Sequence, residues 1–122
     1  MVRNHTQMAT MNLVEPWFTL IYNGVKTIEG RIAIGKWLNL KLGTIIEVSS
    51  PNSEFRFNVV VKRLKLYPSL EEFLHEEDLS LVLPGVSTIE AAVAMYHRYF
   101  NSEVLSQHDF MAIEVVRCSD AY

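Results

Sequence analysis

An alternating run near the middle of the chain constrains the fold more than any other feature. The odd-numbered positions of residues 55–62 (FRFNVVVK) are all apolar, and most even-numbered positions are polar. Such alternation is typical of a strand that buries one face. A β-branched segment, residues 44–48, comes shortly before it, and a turn-forming cluster of Ser, Pro and Asn at 49–53 separates the two. We therefore predict a β-hairpin here.

Two segments after the hairpin begin with the same helix-start signal. Residues 69–72 (SLEE) and 87–90 (STIE) have the S-x-x-E spacing, in which both side chains satisfy free amides of a helix's first turn. We predict helices that end near His75 and Tyr99. We also predict a last strand over residues 110–116, in which the odd-numbered positions 111, 113 and 115 form one apolar face.

The first third of the chain predicts one helix and one strand. Residues 15–23 predict a short helix, because three apolar side chains, Trp17 among them, share a face and Gly24 suits the residue that ends a helix. Residues 27–34 predict a strand with isoleucines on one face and Thr, Glu and Arg on the other.

The predicted order of these elements indicates the fold class. One helix, three strands, further helices and a last strand do not form the βαβ repeat of a doubly wound sheet. We predict an α+β fold, a small mixed or antiparallel β-barrel with flanking helices. The length of 122 residues fits one domain. Residues 1–10, which are polar and aperiodic, are predicted to be a flexible N-terminal tail, and residues 11–122 the single domain.

Charge and composition limit the classes of function. Eleven basic and 14 acidic residues leave a formal charge of −3. This argues against attachment along duplex DNA, but not against a local basic patch over one nucleotide. No signal-peptide pattern and no apolar run of about 18 residues occurs, so we expect a cytoplasmic protein, or a nuclear one, that does not use a membrane.

The cysteine and the histidines carry little chemistry. Cys118 is the only cysteine, so no disulfide forms within the chain. The four histidines lack ligand spacing, and we expect no metal and no cofactor. We also expect a monomer.

Residues 15–31 (EPWFTLIYNGVKTIEGR) resemble the signature of the ASCH family, the activating-signal-cointegrator homology domain of the PUA-like β-barrel superfamily. Other parts resemble the family's second strand, the crossing to its helices, and its last helix with the closing strand: residues 40–46, 67–72, 96–103 and 112–115. The resemblance runs from about Met11 to Val116. It implies a small PUA-like mixed β-barrel with flanking helices. It also implies RNA binding, or enzymatic activity as in the branches that act on acetylcytidine or on RNA.

The motif G-x-K-T-x-E-x-R makes Lys26 the central candidate residue. A lysine beside apolar walls can act as a general base, or it can hold a phosphate as a point charge. The alternative is a solvated lysine at the edge of a strand. For this motif the resemblance favours the functional interpretation, and Thr27 is included as a binding residue.

Glu29 and Arg31 share one face of the predicted strand. Together they can contact a base edge and a phosphate, and Glu29 can also assist Lys26 in catalysis. The alternative is a surface ion pair that contributes about 0–1 kcal/mol. Gly30 between them is interpreted as a position where a ligand approaches the backbone.

Two further groups of side chains are candidates for ligand binding. Trp37 is predicted to stack a base and Lys36 to neutralise a phosphate. For Trp17, stacking of a base and packing in the core are equally favoured interpretations. On the last long helix, Tyr96 and Arg98 are candidates to close over a ligand. For this helix, core packing with solvated charges is the favoured interpretation.

The motif departs from the amidohydrolase branch that it resembles. That branch has K-T-x-T with a nucleophilic Thr, whereas this chain has Glu29 at the second Thr position. The first hypothesis is therefore a small RNA- or nucleotide-binding domain that regulates RNA metabolism. The second is a hydrolase on a nucleoside or on RNA, with Lys26 as general base. The third is a domain that binds a protein partner.

Overall fold

A computed structural model of the protein describes residues 8–118. Five strands form one mixed sheet, which curls into a half-barrel with helices packed around it. The strands are β1 Met8–Asn12, β2 Ile28–Ile32, β3 Ile45–Ser50, β4 Ser53–Tyr67 and β5 Phe110–Arg117. The helices are α1 Trp17–Tyr22, α2 Leu70–Glu76, α3 Leu79–Val82, α4 Ile89–Tyr99 and α5 Ser102–Gln107, with a 3₁₀ turn at Gly35–Asn39. The predicted α+β class is confirmed.

The strand order is β1-β3-β4-β5-β2. β1 pairs parallel with β3, and the other pairings are antiparallel. The predicted hairpin is present as β3 and β4. β1 and β2 are the two edge strands of this curled sheet, so they border its open side.

Part of the predicted N-terminal tail is a strand. Residues 8–10, assigned to the tail from their polar composition, belong to β1 and lie opposite residues 45–47 of β3. The prediction was wrong here because the ladder comes from a partner more than 30 residues away, and only Met11 of this strand is fully buried. The rest of the predicted tail, residues 1–7, lies outside the described residues, as do residues 119–122.

β5 is buried on both faces, which the alternation alone did not predict. Its odd-numbered positions 111, 113 and 115 pack with α1 and the inside of the curled sheet. Phe110 and Ala112 face the other way and pack with α2 and α4. The sheet therefore separates two apolar clusters, and β5 carries side chains into both.

Helix starts follow the predicted capping chemistry, with one shift. The Ser69 hydroxyl accepts a hydrogen bond from the Glu72 amide, as the first S-x-x-E motif predicts. In the second motif the cap is Thr88 instead of Ser87, and it accepts from the Ala91 amide. Thr88 lies one position further along and carries the same kind of hydroxyl, so it caps the helix in place of Ser87. The short helices α3 and α5 were not predicted individually.

A polar cluster joins β4 and β5 to the C-terminal end of α2. Its residues are far apart in sequence, so no local motif predicts it. The Arg63 guanidinium pairs with Glu77 at 2.5 Å and with Glu114 at 2.5 Å. The Tyr67 hydroxyl also donates to Glu77. Burial favours a raised pKa for Glu77, but Arg63 and Tyr67 outweigh it, so the pKa lies below the ordinary value of 4.5.

Replacing the Glu77 carboxylate is expected to change how the free energy of unfolding depends on pH. A carboxyl whose folded-state pKa is lowered stabilises the fold above its ordinary pKa, and this contribution is lost as pH falls through the folded-state pKa. We expect Glu77→Gln to lower the free energy of unfolding at neutral pH and to flatten its decline below pH 4.5. Urea denaturation across this pH range measures both effects. The exposed variant Glu54→Gln should keep the wild-type slope, and an unchanged slope in Glu77→Gln would contradict the assignment.

Candidate nucleotide-binding site

A pocket of about 200 Å³ opens between β2, the link from β1 to α1, and the C-terminal part of α4. We call it the β2–α4 pocket. Four aromatic side chains and three aliphatic ones form most of its wall, and Glu29, Arg31 and Asn12 supply its polar lining. Its members are Asn12, Leu13, Val14, Trp17, Glu29, Arg31, Leu83, Tyr96, Tyr99 and Phe100. The pocket is larger than the cavity of about 150 Å³ that holds one benzene ring, and smaller than the roughly 300–1,000 Å³ of drug-sized sites.

Glu29 and Arg31 form an ion pair on the pocket wall. Arg31 Nε donates to Glu29 Oε2 at 2.8 Å, and a second guanidinium nitrogen donates to the Asn12 carbonyl at 3.3 Å. Burial favours a raised pKa for Glu29, but the charges of Lys26 and Arg31 outweigh it and hold the pKa below its ordinary value. Glu29 is therefore ionised, so it offers the pocket acceptor atoms only.

Lys26 lies beneath this pair and does not line the pocket. Its side chain is 1% exposed. The ammonium donates to the backbone carbonyls of Ile28 and Val82 and pairs with Glu29 Oε1 at 3.2 Å. Burial lowers the pKa of Lys26, and Glu29 opposes that shift. All three ammonium protons thus have acceptors within the protein. Lys26 therefore holds the Glu29 carboxylate in place from below.

Gly30 serves packing on the opposite face of β2. A Cβ atom at this position would lie 2.6 Å from the Phe110 ring and 2.9 Å from the Phe73 ring. The space next to Gly30 is therefore filled by two aromatic side chains. The prediction that Gly30 admits a ligand to the backbone was wrong, because this face of the strand points into the apolar cluster beneath α2 and α4.

The aromatic wall comes from α1 and α4. The indole nitrogen of Trp17 donates to the Tyr99 hydroxyl at 3.1 Å, which joins the two helices across the pocket. The Tyr96 ring lies nearly parallel to that of Phe100, with centroids 6.0 Å apart. Trp17 packs in the apolar cluster, as one alternative of its prediction has it, and it also lines the pocket. Stacking of a base by Trp17 stays a prediction.

The Tyr96 hydroxyl is a polar group without a protein partner in the described part of the chain. The residue is only 4% exposed and lines the pocket, and no hydrogen bond involves its hydroxyl within residues 8–118. Burial is the main cause that raises the pKa of Tyr96 well above its ordinary value, and the nearby Glu29 charge adds to it. Tyr96 therefore stays protonated and can donate a hydrogen bond into the pocket.

The structure places the remaining predicted residues outside the pocket. Lys36 donates to the Thr10 carbonyl at 2.7 Å, and so ties the 3₁₀ turn to β1. Trp37 is half-buried, with the Arg31 and Lys36 cations 4.9 and 4.8 Å from its ring centroid. Thr27, just before β2, is half-buried, and its backbone N–H and carbonyl are hydrogen-bonded to Leu81 and Val115. Arg98 is exposed on α4.

Sequence reasoning missed several lining residues. Asn12, Leu13 and Val14 were assigned no role, although the resemblance begins near them. Tyr99 shares a helix face with Tyr96 by its i, i+3 spacing but was not named as a binding residue. Phe100 follows Tyr96 at i+4, and that spacing was the available signal.

Two expected absences can be compared with the described residues. In residues 8–118 no group of three or more His, Cys, Asp or Glu side chains is placed to hold a metal ion. No helix in the same range is long and apolar enough to cross a membrane.

Comparison with known proteins gives the class and then the family. The half-barrel with flanking helices is shared with the ZmASCH protein of Zymomonas mobilis, solved as a point mutant, at 15% identity and a TM-score of 0.63 over 90% of this chain and 69% of that one. This likeness shows the fold alone. The sequence model of the ASCH domain matches residues 11–118, so the chain belongs to the ASCH domain family.

Two solved structures are more similar in sequence. The crystal structure of the hypothetical protein PH0355 is 33% identical, with a TM-score of 0.82 over 92% of this chain and all of that one. A protein of Pyrococcus furiosus solved by solution NMR is 32% identical, with a TM-score of 0.73 over 93% and 99% of the two chains. No curated protein matches the sequence.

Proposed function

We propose that this ASCH domain binds RNA or a nucleotide by accepting one unstacked base in the β2–α4 pocket, and that it acts in the cytoplasm. The observation that carries the proposal is the pairing of a carboxylate and a guanidinium on the wall of an aromatic pocket of ring size. Single-stranded RNA is commonly recognised in this way, with a base splayed out, stacked on aromatic side chains and hydrogen-bonded along its edge.

The polar groups of the pocket match the edge of a base. Glu29 offers acceptors, while Arg31 and Tyr96 offer donors. A nucleobase presents donors and acceptors side by side, so one ring can satisfy both kinds of group. Trp17 and Phe100 give the ring apolar contacts, and stacking of this kind contributes about 1–3 kcal/mol per base.

The geometry favours a ligand-binding function over hydrolysis in which Lys26 is the general base. A general base must reach the proton that it removes and must have a pKa near the working pH. Lys26 is sealed beneath Glu29, with its three protons bound to protein acceptors. Glu29 does reach the pocket, but its lowered pKa makes it a weak base. Neither group of the predicted catalytic pair is thus arranged for proton abstraction.

The experiment is a titration of the protein with a single-stranded RNA hexamer of mixed sequence, followed by NMR of the Trp17 indole N–H. We expect saturable shifts, and about tenfold weaker binding in Glu29→Gln, because a hydrogen bond to a charged group contributes about 1.5–3 kcal/mol. The matched control is Glu47→Gln, which removes a carboxylate from a surface ion pair with Arg56. Its affinity should equal that of the wild type.

A second variant separates binding from folding. Glu29→Gln also changes a buried ion pair, so its thermal unfolding is measured beside the titration. Tyr96→Phe removes only the hydroxyl, and it should weaken binding while Tyr22→Phe, on the far side of α1, does not. Equal affinities for all four variants, or no shift of the Trp17 signal at saturating RNA, would contradict the proposal.

A further inference from the structure

We infer that the β2–α4 pocket recognises the base and leaves phosphate outside, so that the ligand class of this site is a nucleoside, free or as one unstacked residue of a strand. This inference rests on the proposed function. It departs from the sequence-based prediction, in which Lys26 and Lys36 bind phosphate.

Most of the cations that were predicted to bind phosphate or ligand lie away from the pocket. Of the four cationic side chains predicted for the site, only Arg31 lines the pocket. Lys26 is sealed below it, and Lys36 is bound to the Thr10 carbonyl on the outside of the sheet. Arg98 is exposed on α4 and does not line the pocket.

Arg31, the cation that does line the pocket, already uses part of its guanidinium within the protein. Phosphate is held best by a guanidinium that turns its forked face to the oxygens. Here Nε is bound to Glu29 at 2.8 Å and another nitrogen to the Asn12 carbonyl at 3.3 Å. A phosphate in the pocket would compete with the ionised Glu29 for the same cation. Apart from Arg31, the pocket offers its other oxygens no positive charge, only neutral polar groups among apolar side chains, and burying a charge without a counter-charge is costly.

The polar groups of the pocket favour a ligand that both accepts and donates hydrogen bonds. Tyr96 is a largely buried residue whose hydroxyl has no protein partner within residues 8–118 and borders the same space as Glu29. A ligand that accepts from this phenol and donates to the Glu29 carboxylate would use both groups. A nucleobase does both, whereas a phosphate dianion only accepts.

The test compares ligands that differ in one part. The four common ribonucleosides, their 5′-monophosphates and ribose 5-phosphate are titrated against the full chain, with the Trp17 indole N–H as the NMR signal. We expect at least one nucleoside to bind with an affinity within about threefold of its monophosphate. We expect ribose 5-phosphate not to displace it, and nucleoside binding to be insensitive to salt, since salt dependence comes from phosphate contacts.

The outcomes are distinguishable. Monophosphates that bind while every nucleoside fails, or displacement by ribose 5-phosphate, would overturn this inference and leave the proposed function standing. If neither nucleosides, nucleotides nor the RNA hexamer bind, the proposed function fails and the inference fails with it. If nucleosides bind and the RNA hexamer binds much more tightly, the recognised base belongs to an RNA strand. Equal affinities assign it to the free compound. Both of these results support the inference.

Discussion

Lys26→Met is expected to lower the free energy of unfolding by about 3–5 kcal/mol, the usual cost of removing one partner from a buried ion pair. Methionine fills most of the space, but it leaves Glu29 with Arg31 as its remaining ion-pair partner and two buried carbonyls without their lysine donor. Unpaired buried polar groups account for this cost. Urea denaturation followed by tryptophan fluorescence measures the change.

The matched control is Lys62→Met, at an exposed lysine of β4. It should change stability by no more than about 0.5 kcal/mol. A Lys26→Met protein with wild-type stability would refute the supporting role described above. If such a protein had also lost a hydrolytic activity, the hypothesis of Lys26 as general base would regain support.

Gly30→Ala is expected to cost about 3 kcal/mol, at the upper end of the usual range for overpacking a core. The added methyl group would meet the rings of Phe110 and Phe73 at distances below 3 Å. Interiors are packed too densely for both rings to move away freely. The same denaturation experiment applies, and the loss should be seen with or without ligand.

A double variant tests the cause of this loss. Phe110→Leu by itself should destabilise the protein, since it removes part of a buried ring. Combined with Gly30→Ala it gives the methyl group room, so the cost of the pair should be smaller than the sum of the single costs. Additive costs would show that the backbone of β2, and not the aromatic contact, is responsible.

The sequence predicted those site residues whose side chains follow from local pattern. Glu29 and Arg31 share a strand face because side chains alternate along a strand, and that face does border the pocket. Trp17 and Tyr96 were predicted as candidates on helices that exist as predicted. The family resemblance directed attention to this segment, and the fold class followed from the order of the elements.

The positions that were misjudged depend on contacts distant in sequence. Nothing near Lys26 shows that the carbonyl of Val82, 56 residues later, accepts its proton. Likewise, Gly30 is next to two polar residues in sequence, but its space is filled by rings from α2 and β5. A local pattern gives the face on which a side chain lies, and only the packed fold gives what it meets there.

The hydrogen bonds from Lys36 and Arg31 to β1 have a consequence for how this molecule meets its own copies. A half-barrel has an open edge, and an exposed strand edge is a template on which further chains can add strands and aggregate. The carbonyls of Thr10 and Asn12 on β1 each accept from one of these cations. An incoming strand would have to displace both before it could pair there, so the same two cations that were expected to attract a ligand also protect the fold from fibrous growth.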